Sequence, residues 1–247
     1  MTIGKLSNGD IMALPKLNDQ PKYELVIPST QQKIRFRPFL VKEEKVLLLA
    51  MESNDQNLIL ASITDTIEAC VIDKIDAAKL TTFDIEYVFT QIRSRSVGEV
   101  ATVLVNCSEC ETPNELKIPL DAITVTKSSV SNMVKLTDSI TLELQYPSYK
   151  TITADSSMLQ ENAGAEATFK MIKSCMKAVL TEDERVLMSE EDPESVDAFL
   201  NSMTTSQLDE IRKFIEDMPK MYHNAEYTCT ECAHDNKLTL EGMQSFF

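Results

Sequence analysis

Tryptophan is absent from this chain, histidine occurs twice, and glycine five times in 247 residues. Each scarcity excludes something. Glycines are few, and neither a P-loop nor a G-x-G-x-x-G pattern is present. His223 and His234 give no compelling Ser–His–Asp or Cys–His arrangement, and with so few histidines acid–base chemistry would rest on carboxylates. No catalytic residue is assigned, and the chain is expected not to be an enzyme. No apolar run reaches the roughly 18 residues that a membrane-spanning helix needs. The opening "MTIGKLSNGDIMALPKL" has no apolar segment backed by a small-residue cleavage site, so no signal peptide is expected. Positive charge is also short. Lys and Arg number 24 against 39 Asp and Glu, a net charge of −15. Such a surface repels phosphate backbones and anionic membranes, so neither nucleic acid nor membrane is an expected partner.

What remains is an ordinary globular composition, 43% hydrophobic and 26% charged, with six cysteines. In the reducing cytosol expected for this chain, those cysteines are thiols or metal ligands rather than disulfides. Four of them stand out. "VLVNCSECETPNELKI" (103–118) and "AEYTCTECAHDNKLTL" (225–240) each carry two cysteines three positions apart in a polar tip between strand-like runs. Zinc takes four tetrahedral ligands, and one such knuckle supplies two. Cys107 and Cys110 with Cys229 and Cys232 would complete the shell as a zinc ribbon. Ribbon halves are usually roughly 15–20 residues apart. Here 118 residues (111–228) intervene, so a large insertion must lie between the halves. Other readings of the pairs are metal-free turn cysteines, one knuckle completed by His234 or His223, or a redox C-x-x-C. The redox reading requires a βαβ context that neither pair has. Four thiolates leave no open position for water, so the zinc would be structural.

Elsewhere, residues 1–20 read as a loosely held arm, punctuated by Gly4, Gly9 and Pro15. Segments 22–28 and 33–39 alternate as a β-hairpin. Helices are expected over 41–53, over 57–75 (Leu60, Ile63, Ile67, Cys70 and Val71 on one face), and over 80–99 (Ile85, Val88, Phe89, Ile92, with Gly98 as a stop). Strands are expected over 99–106, 115–120, 123–128 and 140–148. A further helix is expected over 163–180, with Phe169, Ile172, Met176 and Val179 on one face. Asp192 with Pro193 opens the next helix (189–203), and Thr204 with Gln207 forms a capping box for the last (204–219), striped by Leu208, Ile211, Ile215 and Met218. Cys70 and Cys175 read as core residues, and the acids at 190–192 as a helix start.

The fold class is α+β, hairpins and helices with a split zinc ribbon around a large insertion. The expected division is the arm (1–20), a first half with hairpin, helices and first knuckle (21–128), and a second with strands, helices and second knuckle (129–247), packed as one metal-linked unit. At the end, Met243, Phe246 and Phe247 either fold back onto the ribbon or anchor another chain.

The segments "FRPFLVKEEKVLLLAMES" (36–53), "FDIEYVFTQIRSRSVGE" (83–99), "LDEIRKFIEDMPKM" (208–221) and "CTECAHDNKLTLEGMQSFF" (229–247) resemble the baseplate hub assembly proteins of T-even-type contractile-tailed bacteriophages. The resemblance spans about residue 20 to the end. It implies a role in tail and baseplate morphogenesis, as chaperone or hub component, with other hub and tail proteins as partners, in the host cytoplasm during assembly or in the virion baseplate. The alternative from another class is a zinc-ribbon nucleic-acid-binding regulator. Glu99, Glu109, Glu111 and Glu115 around the first knuckle, and Glu226, Glu231, Asp235 and Glu241 around the second, argue against it.

Overall fold

A computed structural model describes residues 20–155 and 164–245. The expected arm, but for its last residue, lies outside them, as do Phe246 and Phe247. Described helices and small antiparallel sheets are interleaved along the chain, as an α+β reading requires. The first hairpin pairs β1 (Tyr23–Val26) with β2 (Lys33–Phe36). Its inward residues Leu25, Ile27, Ile34 and Phe36 pack on Ile63, Ile67 and Cys70 of α2 (Gln56–Cys70) and on Ile85, Val88, Phe89 and Ile92 of α3 (Thr82–Ser96). The helix-period faces read from the sequence are thus the buried ones. α2 ends earlier than expected, because Val71 turns extended and bridges to Phe36. α1 (Val41–Ser53) lies beside α2.

A second core joins β6 (Met133–Lys135), β7 (Thr141–Leu144), α5 (Ala165–Cys175), β8 (Met176–Leu180), α6 (Pro193–Asn201) and α7 (Thr205–Glu216); α4 (Tyr149–Thr153) belongs with the first. Here the sequence reading needs correcting. The helix expected over 163–180 stops at Cys175, and Met176 and Val179 lie on a strand between β7 and β9 (Arg185–Leu187). The run "MKAVL" satisfies either period. Pairing with neighbours on both sides decides for the strand. The two caps stand as expected: the Asp192 carboxylate accepts from the Ser195 N–H at 2.9 Å, and Thr204 exchanges bonds with Gln207.

The third core is the ribbon. β3 (Val100–Asn106) pairs with β4 (Pro113–Pro119), and β10 (Met221–Thr228) pairs with β11 (Asp235–Glu241) and with the short β5 (Thr124–Val125). Ala101, Ile118, Leu120, Ile123, Met221, Ala225 and Leu240 fill it. The chain leaves the ribbon and returns at one neck. The Thr126 N–H donates to the Lys220 carbonyl at 2.9 Å, and the Lys220 N–H donates to the Thr126 hydroxyl at 2.9 Å. One oxygen of Asp217 accepts from the Ser128 hydroxyl (2.8 Å) and from the Ser129 (2.6 Å) and Val130 (3.1 Å) N–H groups. Because the two ends of the inserted segment are tied together, its length does not disturb the ribbon.

After β11 the described chain returns to α3, where the Met243 N–H donates to Glu86. Met243 packs against the first and third cores. Burial pushes the Glu86 carboxyl up to about 7, against the pull of that N–H. A raised carboxyl pKa means the folded state binds the proton more tightly. The penalty is absent near pH 4.5, grows as pH rises, and is complete above pH 7. Glu86→Gln should therefore raise stability at pH 8 by about 3 kcal/mol and change it little at pH 4.5. Denaturant titrations of both proteins at the two pH values check this, and equal gains at both would contradict it.

Candidate metal centre

The two cysteine hairpins end in the same six-residue turn. In the first, the Cys107 N–H donates to the Thr112 carbonyl (3.0 Å) and the Glu111 N–H to the Cys107 carbonyl (3.0 Å). In the second, the Cys229 N–H donates to the His234 carbonyl (2.8 Å) and the Ala233 N–H to the Cys229 carbonyl (3.1 Å). Glu111 and Ala233 adopt left-handed backbones, with φ of 59° and 58°. The β1–β2 hairpin makes the same turn: Ile27 N–H to Gln32 carbonyl, Gln31 N–H to Ile27 carbonyl, and Gln31 at φ 56°. The turn therefore forms without cysteine. It buries its first position (Ile27, Cys107, Cys229) and exposes its fourth (Thr30, Cys110, Cys232). Cysteines at those two positions let an ordinary hairpin turn supply two of the four clustered sulfurs.

The third core sets the two tips against each other. Cys107 Sγ lies 3.7 Å from Cys232 Sγ, and Cys110 Sγ lies 3.6 Å from Cys229 Sγ. All four sulfurs fall within 4.8 Å of one another. These separations are far beyond a disulfide bond. They suit a tetrahedron of thiolates on one ion, whose edge at a Zn–S distance of about 2.3 Å is about 3.8 Å. The donor set, all sulfur, fits a soft or borderline divalent cation. Among the described residues neither His223 nor His234 joins the cluster, so the reading with one knuckle and a histidine finds no support.

Backbone N–H groups prepare the sulfurs for charge. The N–H groups of Cys110 and Glu109 point at Cys107 and lower its thiol below the usual range. Those of Cys232 and Glu231 do the same for Cys229, down to about 6. Cys232 behaves oppositely. The His234 N–H pulls it down, but the Cys110, Cys229 and Cys107 sulfurs and burial together push it up to about 12. Four sulfurs this close do not all ionise without a cation among them, and a bound metal would take the place of the protons. The remaining cysteines differ in kind. Burial raises Cys70 to about 11 and Cys175 to about 12, as core thiols.

Two residues at the site escaped the sequence reading. Asn114 and Asn236 are buried and touch the cysteines of the opposite hairpin. The signal was there in "CSECETPN" and "CTECAHDN", where a hydroxyl residue follows the first cysteine and an asparagine stands seven positions after it.

No helix among the described residues is long and apolar enough to cross a membrane. A family model described as "T4 bacteriophage base plate protein" matches residues 20–247. No curated protein and no solved structure matches the chain.

Proposed function

The chain belongs to the T4 bacteriophage base plate protein family, and from that premise we propose that it acts by protein–protein contact in assembling the baseplate hub, without catalytic turnover. The family match over residues 20–247 carries the reading. Its partners are then other hub and tail proteins, met in the host cytoplasm during assembly and, if the protein stays in the particle, in the virion baseplate. The four cysteines hold one structural zinc, which fixes the ribbon and offers no open coordination position for a reacting water.

A contact surface is available on α1. Val41, Val46, Leu48, Leu49 and Met51 are exposed on it, and Leu58 of α2 is exposed as well. The six consecutive apolar residues 46–51 of α1 wrap more than one full turn, and a stretch that is apolar on all sides is ordinarily covered on all sides. Here α2 covers one side, and another baseplate protein would cover the rest.

In a phage lacking this protein, tails should fail to complete a baseplate while other particle components accumulate. A wild-type copy should restore them. A copy carrying Leu48→Glu and Leu49→Glu should keep its melting temperature and fail to restore, as scored by electron microscopy of tails. Copies with single exposed carboxylates replaced should restore, because no acid performs proton transfer. Normal baseplates in the deletion phage would overturn the assembly reading. Restoration by the double glutamate variant would remove α1 as the contact face. An indispensable carboxylate in a folded, partner-bound protein would mean an enzyme.

A further inference from the structure

The geometry points to Asn114 and Asn236 as a reciprocal clasp that positions the metal-binding thiolates, each asparagine serving a cysteine on the opposite hairpin. This rests on the reading that the four cysteines bind zinc. The bonds come in matched sets. The Asn114 side-chain oxygen accepts from the Thr230 N–H (2.9 Å) and hydroxyl (3.0 Å), and its nitrogen donates to the Thr112 carbonyl (2.8 Å) and to Cys229 Sγ (3.6 Å). The Asn236 oxygen accepts from the Ser108 N–H (2.9 Å) and hydroxyl (2.9 Å), and its nitrogen donates to the His234 carbonyl (3.0 Å) and to Cys107 Sγ (3.5 Å).

The orientation of each amide is forced. A backbone N–H only donates and a backbone carbonyl only accepts, so the amide oxygen faces the former and the amide nitrogen the latter. One N–H of each side chain is then left, and the sulfur is its partner. All four hydrogen-bonding positions of each buried amide are used. Each asparagine thus locks its own turn, grips the backbone beside the facing cysteine, and donates to that cysteine.

Four thiolates on a divalent ion leave a net charge of −2, and N–H donation to sulfur spreads it. The donation is uneven. Cys107 and Cys229 each receive two backbone N–H groups of their own turn and the asparagine of the other. Asparagine suits this place where aspartate does not. A carboxylate keeps both bonds from Thr230 or Ser108, but it cannot donate to the carbonyl or the sulfur, and it adds negative charge.

The test uses full-length protein loaded with cobalt(II) for spectroscopy and with zinc for chelator competition. Asn114→Asp and Asn236→Asp should each weaken zinc binding about 10- to 100-fold, with one ion per chain retained. They should also shift the sulfur-to-cobalt charge-transfer bands. Thr230→Val removes a hydroxyl bond to Asn114 and leaves the donation to sulfur, so its cobalt spectrum should match the wild type. Wild-type zinc affinity and spectrum in both aspartate variants would overturn the clasp and leave the zinc reading intact. A spectral shift in Thr230→Val as large as in Asn114→Asp would also overturn it, by making the effect general loosening. So would failure of both aspartate variants to fold with metal present, since the asparagines would then be parts of the fold rather than tuners of the centre. Wild-type protein that binds no metal would overturn the zinc reading itself.

Discussion

Cys229→Ser should strip the metal from the protein and cost it more than about 4 kcal/mol of stability. The reason lies in the size of the third core. Seven buried residues, two of them alanines, hold two hairpins together, and so small an apolar cluster rarely sustains a fold alone. Structural zinc in finger peptides contributes about 10–16 kcal/mol of apparent binding energy, and that energy becomes folding energy. Cys229 is also the best-prepared ligand, its thiol lowered to about 6. At about 2–4 °C per kcal/mol for a chain of this size, the melting temperature should fall by roughly 8 °C or more. Elemental analysis and thermal melts of the variant check both parts. Cys175→Ala is the control: it should lose some core packing and no metal, because Cys175 lies wholly in the second core. A Cys229→Ser protein with wild-type metal content and melting temperature would contradict the reading.

Phe214→Ala should destabilise the protein by about 3–5 kcal/mol while leaving its metal content unchanged. Phe214 is 1% exposed, among the largest fully buried side chains. Its ring stacks on Tyr146 at 5.1 Å and 8°, and Tyr146 meets Phe83 of α3 edge-on at 5.4 Å and 84°. This aromatic row joins the second core to α3, so truncation opens a cavity and also removes a link between the inserted segment and the rest. The ribbon's own contacts do not include Phe214, which is why the metal should stay. Urea titration with parallel metal analysis is the measurement. A loss below about 1 kcal/mol, or loss of the metal, would contradict the account.

Much of the fold was legible where a short period and a terminator coincide. α3 shows buried Ile85, Val88, Phe89 and Ile92 at helical spacing behind a Thr81 cap, and the sequence places the same four on one face. The four cysteines were legible because metal-ligand spacing is short-range and repeated. The insertion's fold was less so. Strand β8 hides in a run that also fits a helix, and only β7 and β9 on either side select the strand. Phe214 was left out of the α7 stripe drawn through Leu208, Ile211, Ile215 and Met218, yet it is more buried than Leu208 or Ile215, and Met218 lies beyond the helix. A four-residue stripe under-reads a wide buried face. Asn114 and Asn236 were missed for another reason. A polar residue's role depends on what lies opposite, and each one's partners on the facing hairpin stand more than a hundred positions away.

The central claim is that two distant hairpins share one metal ion. Native mass spectrometry of the protein, purified under reducing conditions, tests it most directly. The account predicts one zinc per chain in the wild type and none in Cys107→Ser or Cys229→Ser, one from each hairpin. No zinc in the wild type, two ions per chain, or an ion retained after loss of either cysteine would contradict it.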